Sequence, residues 1–305
     1  MEPNFVGLGP YHFAAGMNNK AVFYLLDEDE ATITQEYVAS VKKLSIGVNY
    51  AVALLSDGRL FVHIIENTGV LESDRESKIL PDKDEKDGRI VSADIKGEML
   101  IYATSSGKIR YFLLDEWTEV NCFEHSAPLK LSFPDQAGTR LLIIDEHSRG
   151  YIYSAVDDSL LEVDNLPPSV LGCLWDSEDG HIFTIWDAHN QLYTYTIHDQ
   201  HIDGEKIEFV ASGRKPKGQS PLLLSGGFLF LQTSSGKLNR ITLPSHRFLT
   251  PNGPMTIDDL ENCLSLRKWS NAHVVCTDLD TDEAWNSAGE GNGRKMISLL
   301  GVSFL

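Results

Sequence analysis

A hairpin pattern that recurs six times constrains what this chain can fold into. In one copy, the apolar residues 50–55 lead into Ser56-Asp57-Gly58, and a second, largely apolar run follows at residues 60–65. Two β-rich runs joined by a short turn are typical of a β-hairpin. The six turns are marked by Asn19, Gly58, Gly107, Gly150, Asn190 and Gly236. Successive markers lie 39 to 49 residues apart, which is the period of β-propeller blades with four strands each.

The turn residues and the flanking segments agree with such blades. Every marker is glycine or asparagine, residues that tolerate the positive φ angles of two-residue hairpin turns. Strands are predicted before the hairpins at Asn4–Leu8, Lys42–Ile46, Ile90–Ile95, Leu129–Phe133, Val170–Trp175 and Leu222–Leu224. Weaker strands are predicted after them at Ile33–Val38, Glu119–Glu124, Leu160–Val163 and Ile207–Ala211. The outermost strand of a blade packs against less protein, so a more polar pattern is expected there.

The repeat divides the chain into a predicted propeller and a helical segment. Residues 1–243 are predicted to form an all-β propeller of about six WD40-like blades, the last without a clear outer strand. Because the blades begin at the first residue and a propeller must close, we interpret it as incomplete at the N-terminus, with the chain a fragment. Residues 244–255 are a predicted linker, 256–288 the start of an α-solenoid with TPR-like helices, and 289–305 an atypical tail. Thr256 is the expected N-cap of the first helix.

The formal net charge of −18 narrows the classes of partner. An acidic surface repels phosphate groups, so binding to nucleic acid or to anionic membranes is not expected. No apolar run is long enough for a transmembrane helix, so a direct membrane span is not expected either. The acidic residues cluster in segments that we interpret as solvated loops, at Asp27–Glu30, Asp82–Asp87, Asp157-Asp158 and Asp278–Glu283.

Motifs that carry chemistry are weak in this sequence. The acidic repeats Asp82-x-Asp84 and Asp278-x-Asp280-x-Asp282 resemble calcium loops but lack the glycine and the glutamate that such loops require. His198-x-x-His201 is interpreted as part of a polar loop between strands, because no further metal ligands accompany it. No Walker loop or GxSxG elbow is present. We therefore expect no catalytic, cofactor-binding or metal-binding residues and no cofactor.

Three remaining features are interpreted as structural. Arg214-Lys215-x-Lys217 is a small basic loop, expected to be a solvated blade connector rather than a partner contact. The tryptophans are expected to pack in the protein rather than to form a ligand platform, and are Trp175, Trp186 and Trp285. The widely spaced cysteines, which suit free buried thiols in a reducing cytosol, are Cys122, Cys173, Cys263 and Cys276.

Several blade segments resemble the family of WD repeat-containing protein 19, a WD-repeat subunit of intraflagellar transport complex A. The resemblance is carried by residues 1–26, 133–153 and 234–249, and it extends through residues 264–288. It implies the second of two tandem propellers, followed by the first helices of a solenoid. The segment Gly289–Leu305 departs from the family, where helices continue.

The resemblance also implies a function. It would make the chain a non-enzymatic scaffold in retrograde intraciliary transport, cilium assembly and ciliary protein entry. The implied partners are other complex A subunits and adaptors for ciliary membrane-protein cargo, and the implied location is the cilium, from its base to the axoneme, and the cytoplasm. The family offers no catalytic residues to transfer to this sequence.

Two other readings remain open from the sequence. A propeller followed by helices also fits a subunit of a vesicle coat or of the nuclear pore, and only the identity of the partners separates these from a ciliary scaffold. A hydrolytic propeller would need histidines or carboxylates on its innermost strands. Those strands are expected to be mostly apolar, from the residues Leu129, Leu131, Phe133, Val170 and Leu171.

Overall fold

The computed structural model describes residues 3–26, 31–65, 77–81, 88–198, 205–243 and 256–265, with Ala272, Val275, Cys276, Leu279 and Trp285. The chain forms two compact units, Met1–Pro168 and Ser169–Leu305. The first unit contains four antiparallel sheets, which we call blades 1 to 4, and the second contains blades 5 and 6. In each blade the strands pair in chain order, which is the meander that the repeated hairpins predict.

The strands of the first unit are as follows. Blade 1 consists of β1 (Phe5–Leu8), β2 (His12–Met17), β3 (Lys20–Leu25) and β4 (Ala31–Glu36). Blade 2 consists of β5 (Val41–Ile46), β6 (Tyr50–Leu55), β7 (Leu60–Ile64) and β8 (Ser77–Leu80). Blade 3 consists of β9 (Ile90–Lys96), β10 (Met99–Thr104), β11 (Lys108–Leu113) and β12 (Thr118–Glu124). Blade 4 consists of β13 (Leu129–Pro134), β14 (Arg140–Asp145), β15 (Gly150–Ser154) and β16 (Leu160–Val163).

The second unit completes the series. Blade 5 consists of β17 (Val170–Trp175), β18 (Ile182–Asp187), β19 (Gln191–His198) and β20 (Lys206–Arg214). Blade 6 consists of β21 (Gln219–Ser225), β22 (Phe228–Thr233) and β23 (Leu238–Thr242). Within the described residues, blade 6 thus has three strands, as its sequence predicts. The all-β class and the predicted strands before, within and after the hairpins are confirmed.

Burial follows the position of a strand in its blade. The second strands β6, β10 and β14 are buried at every residue but the first. Apolar clusters lie on both faces of β6 and of β10, and one cluster includes alternate residues of β14. These clusters join blades 1 and 2, blades 2 and 3, and blades 3 and 4. The outer strand β12 has no buried residue, and β8, β16 and β20 have one each. The outer strands are thus less buried than the second strands, as predicted.

The turns between second and third strands correct the sequence interpretation. Only blade 1 has the expected two-residue turn, with a positive φ of 54° at Asn18 rather than at the marker Asn19. The other five hairpins close with three-residue loops. The last residue of each loop is left-handed, as in a type I turn followed by a bulge, and these residues are Gly58, Gly107, Ser148, Asn190 and Gly236.

In blade 4 the marker was therefore assigned to the wrong residue. Ser148, with a φ of 61°, makes the left-handed turn, and Gly150 does not have a positive φ. Glycine is needed at position 150 for a different reason. A Cβ atom there would lie 2.8 Å from Cδ2 of Leu166, so the connector to blade 5 packs directly on the backbone.

In the described part of the chain, helix α1 (Ile257–Ser265) follows the blades, and Ala272, Val275, Cys276, Leu279 and Trp285 are also helical. The backbone oxygen of Thr256 accepts a hydrogen bond from the N–H of Leu260 at 3.2 Å, which places Thr256 at the predicted N-cap. Leu260 and Cys263 pack with Ala272, Val275 and Cys276 in an apolar cluster. The TPR-like assignment and the domain boundaries stay predictions, and the predicted linker 244–255 and tail 289–305 lie outside the described residues.

Candidate interaction surface

Three buried carboxylates in the described blades, those of Asp145, Asp176 and Asp187, accept hydrogen bonds from the backbone of the fold. Asp176, 1% exposed, follows β17 in blade 5. Its Oδ1 accepts hydrogen bonds from the backbone N–H groups of Glu178 and Gly226, both at 2.9 Å, and its Oδ2 accepts one from Gly227 at 2.8 Å. Gly226 and Gly227 form the first turn of blade 6, so the Asp176 carboxylate connects blades 5 and 6 by hydrogen bonds. Both of its oxygens accept hydrogen bonds from the backbone, which indicates a structural role.

The hairpin loops use side-chain oxygens in the same way. Asp145 and Asp187 each stand immediately before a three-residue loop and accept a hydrogen bond from the N–H group four residues on, at 2.9 Å in both cases. In blades 3 and 6 the hydroxyls of Thr104 and Thr233 take that place. Four of the five three-residue loops thus have a short side chain with an acceptor oxygen at this position, whether charged or neutral, whereas blade 2 has Leu55 there. The bonds indicate a structural role.

One buried histidine lies near such a loop. His125 packs against the ring of Tyr151, with centroids 4.9 Å apart, and its Nε2 atom lies 3.9 Å from Oδ2 of Asp145. Burial lowers the pKa of His125, while the Asp145 carboxylate acts in the opposite direction and Arg149 adds to the lowering. His125 follows β12 of blade 3, and both partners belong to blade 4, so these contacts lie between the two blades.

The first strands carry more polar groups than the sequence interpretation expected. Strands β1, β5, β9 and β13 contact one another in that order. The Asp94 carboxylate on β9 accepts hydrogen bonds from Nζ of Lys43 at 2.7 Å and from Oγ of Ser45 at 3.1 Å, both on β5. The buried hydroxyls of Ser92 and Ser132 join β9 to β13. The expectation of mostly apolar innermost strands rested on residues of β13 and β17, whereas β5 and β9 also carry polar groups that bond across the boundary between blades 2 and 3.

Within the described ranges, no group of three or more histidine, cysteine or acidic side chains is placed to hold a metal ion. His198 ends β19 with its Nε2 atom 3.1 Å from Oε2 of Glu208 on the neighbouring strand, so it lies beside a carboxylate of its own sheet. His201 lies outside the described residues. So do both acidic repeats, Asp82-x-Asp84 and Asp278-x-Asp280-x-Asp282.

The basic loop is tied into the connector between blades 5 and 6. The backbone N–H of Lys215 donates to the carbonyl of Asn190 at 2.8 Å, and its Nζ donates to the carbonyl of Gln219. Lys217 is exposed. Lys215 thus has the connector role that the sequence predicts.

The tryptophans pack as expected. Trp175 is buried with its ring centroid 4.9 Å from that of Phe183. Trp186 belongs to an apolar cluster of blades 5 and 6, and Trp285 packs on the cluster that contains Leu260.

One expectation about the cysteines needs correction. Cys122 is exposed on β12, whereas Cys173, Cys263 and Cys276 are buried as expected. Asp157 and Asp158 are exposed in their loop, as expected, and Oδ1 of Asp158 also accepts a hydrogen bond from the hydroxyl of Tyr153 at 2.7 Å. The acidic segments Asp27–Glu30, Asp82–Asp87 and, apart from Leu279, Asp278–Glu283 lie outside the described residues.

Exposed apolar side chains at one end of the first unit indicate a candidate interaction surface. In the first unit, Leu8 is 72% exposed, Tyr11 60%, Leu26 50% and Val48 37%. All four lie in or beside turns that follow a first or a third strand. In an antiparallel meander these turns share one end of the sheet. This end is the candidate interaction surface. None of the helices built from described residues is long and apolar enough to cross a membrane.

Comparisons with known proteins identify relatives of the chain. Residues 1–246 match the family described as WDR19 second beta-propeller. The chain is 37% identical over 295 residues to WD repeat-containing protein 19 of Homo sapiens. It is 29% identical over 317 residues to WD repeat-containing protein dyf-2 of Caenorhabditis elegans. Each alignment covers 94% of this chain and 22% of the relative, so the chain spans less than a quarter of these proteins.

Solved structures agree on the fold. The β-propeller domain of Myceliophteria thermophila Cps50 (Swd1) superposes with a TM-score of 0.55 at 12% identity, over 79% of this chain and 84% of that domain. Kluyveromyces lactis Hsv2 superposes with a TM-score of 0.54 at 9% identity, over 70% of this chain and 74% of that one. At these identities the likeness shows a propeller fold alone.

Proposed function

The chain belongs to the WDR19 second β-propeller family, and from this membership we propose that it is a non-enzymatic scaffold module of an intraflagellar transport complex A subunit. It acts in retrograde intraciliary transport, cilium assembly and the entry of proteins into the cilium. Its partners are other complex A subunits and adaptors for ciliary membrane-protein cargo. It resides in the cilium, from the base to the axoneme, and in the cytoplasm.

The match of residues 1–246 to a single propeller family carries this proposal. The site chemistry supports it. The carboxylates of Asp145, Asp176 and Asp187 each accept hydrogen bonds from the backbone of the fold, so these buried acids serve blade geometry. A stack of blades offers broad, semi-rigid surfaces to several partners at once, which is what a scaffold requires.

Purification of the complete protein that carries this segment tests the proposal. We expect a tagged form, expressed at its natural level in ciliated cells, to co-purify with the other complex A subunits and to be enriched at ciliary bases. A form with residues 1–246 deleted is the matched comparison and should lose part of these partners. Recovery with vesicle-coat or nuclear-pore subunits instead would contradict the proposal, and turnover of a panel of ester, phosphate and glycoside substrates by the purified chain would contradict the non-enzymatic role.

A further inference from the structure

One end of the first unit concentrates exposed apolar side chains. We call it the first-turn end, because it carries the turns between first and second strands, and also those between third and fourth strands. Among the described residues of this unit, Leu8, Tyr11, Leu26, Val48 and Val156 are large apolar side chains exposed in turns or at strand ends there. At the opposite end of the same sheets, Val38 is the only such side chain among the described residues. Both ends belong to the same strands, so burial of the strand cores does not explain this difference.

The turns of neighbouring blades form one continuous surface. A Cβ atom on Gly9 would lie 2.5 Å from Cγ2 of Ile46, so the first turn of blade 1 rests on the end of β5. A Cβ atom on Gly47 would lie 3.4 Å from the carbonyl oxygen of Gly97, so the first turns of blades 2 and 3 touch as well. The exposed residues beside these glycines therefore belong to a single patch.

Four apolar side chains make up the centre of this patch. Leu8 precedes Gly9, and Val48 follows Gly47. Tyr11 and Leu26 are held side by side, because the N–H of Leu26 donates to the carbonyl of Tyr11 at 2.9 Å. These backbone contacts fix the turns, so their apolar side chains remain exposed to water. Contiguous exposed apolar side chains of this kind mark interaction sites.

Carboxylates flank the patch on the side of blade 3. Glu98, Asp115 and Glu116 are exposed, and the N–H of Leu114 donates to the carbonyl of Glu98 at 3.0 Å, which joins their two turns. The second of these turns is anchored to blade 2. The Trp117 ring lies edge-on to the ring of Tyr50 at 6.2 Å, and Nζ of Lys78 lies 4.0 Å above it. The apolar patch thus has a fixed, mainly acidic border.

We infer that this patch, made of Leu8, Tyr11, Leu26 and Val48 and bordered by Glu98, Asp115 and Glu116, docks a basic amphipathic helix of a partner protein. The apolar centre would receive the apolar face of the helix, and the carboxylates would pair with lysines or arginines beside that face. A helix fits better than an added strand, because the patch consists of turns and does not present a free strand edge. An anionic membrane is disfavoured by the same carboxylates.

This inference specifies a partner class for the proposed scaffold and rests on that proposed function. Its test, however, needs only purified components. The probe is a fluorescent peptide of about 18 residues, built from leucine and lysine so that a helix shows one leucine face bordered by lysines. A scrambled peptide of the same composition and a leucine–glutamate peptide are the controls. Binding to the full chain is measured by fluorescence anisotropy at low and at physiological salt.

We expect the leucine–lysine peptide to bind at least about tenfold more tightly than either control, with affinity that falls as salt rises. Asp115→Lys with Glu116→Lys should weaken binding about tenfold, and so should Tyr11→Ser with Leu26→Ser. Val38→Ser, an exposed apolar residue at the opposite end, is the matched control and should bind as the unchanged chain does. Thermal unfolding of each variant verifies that it is folded.

Two results would overturn the inference. One is equal binding of the scrambled peptide, or unchanged affinity in both double variants. The other is a concentration-dependent dimer in sedimentation that Tyr11→Ser with Leu26→Ser abolishes, because the patch would then be occupied by a second copy of the chain. Neither result bears on recruitment to complex A, which the co-purification tests separately.

Discussion

The carboxylate of Asp176 accepts a hydrogen bond from the backbone N–H of Gly227 at 2.8 Å, although the two residues are 51 positions apart. Asp176 ends the first strand of blade 5, and Gly227 belongs to the first turn of blade 6. The same carboxylate also accepts from Gly226 and from its own turn. It is therefore the point at which two blades of the second unit are joined by charge-assisted hydrogen bonds.

Replacing Asp176 by asparagine tests whether these hydrogen bonds between blades 5 and 6 stabilise the fold. The amide keeps the shape of the side chain but turns one acceptor oxygen into a donor that faces backbone N–H groups. We expect Asp176→Asn to lower the free energy of unfolding by about 2 to 3 kcal/mol, measured by urea unfolding. Glu162→Gln, at an exposed carboxylate on β16, is the control and should have almost no effect. Equal stability of the two variants would contradict the assigned role.

Gly172 and Trp186 provide a second test, of packing inside blade 5. The two residues face each other across β17 and β18, and a Cβ atom on Gly172 would lie 2.1 Å from Cζ2 of the Trp186 ring. Gly172→Ala must displace the rigid indole, so we expect a loss of about 1 to 3 kcal/mol. Gly213→Ala is matched, since it is also a strand glycine and nothing lies within 4 Å of its added atom. A shift in tryptophan fluorescence should accompany the first substitution only.

Buried histidines predict how stability depends on pH. Burial lowers the pKa of His12 and of His125 below the ordinary value of 6.5. The unfolded chain then binds more protons than the folded chain as the pH falls below that value, so the free energy of unfolding decreases with acidification. Urea unfolding between about pH 7.5 and about pH 5.5 measures the effect, in a range above the titration of ordinary carboxyl groups.

The variant His125→Gln separates this effect from the rest of the acid response. Asp145 and Arg149 are the charged groups that act on His125, and both are retained in the variant. We expect its stability to fall less steeply over the same pH range. An unchanged slope would show that His125 does not contribute.

The Lys43–Asp94 pair predicts a modest coupling between blades 2 and 3. The Nζ and Oδ2 atoms are 2.7 Å apart, but the Lys43 side chain is 46% exposed, so water weakens the attraction. A double-mutant cycle with Lys43→Ala and Asp94→Ala should give a coupling of about 0.5 to 1 kcal/mol. Asp94→Ala alone should cost more than Lys43→Ala alone, because Ser45 also loses its acceptor. The reverse order would contradict this geometry.

Local signals in the sequence predicted most of the strands. A hairpin such as 50–65 can be predicted from its own sequence, because its two apolar runs and its turn lie within sixteen residues. The turn geometry was predicted less well. In blade 4 the three-residue loop has serine at its left-handed position, and Asp145 accepts a hydrogen bond from the N–H of Arg149. The sequence pattern therefore points to the glycine at position 150 as the turn residue, although that glycine serves packing.

Contacts between blades could not be read from a single sequence. The hydrogen bonds that Asp94 accepts from Lys43 and Ser45, and that Asp176 accepts from the N–H of Gly226, join residues about fifty positions apart. Nothing local distinguishes Asp176 from a solvated acid in a turn. The apolar patch was missed for the same reason, because Leu8 and Val48 look like ordinary strand-end residues until neighbouring turns are packed together.

Replacement of one segment in a complete relative tests the central claim most directly. Residues 1–246 of this chain would replace the matched segment of human WD repeat-containing protein 19, in ciliated cells that lack the endogenous protein, and the fraction of the chimera in cilia would be measured. We predict that the chimera enters cilia and restores their assembly, whereas the same chimera with Gly172→Ala and Asp176→Asn does so less well. A folded chimera that remains in the cytoplasm and restores nothing would contradict the claim that this chain is a scaffold module of that family.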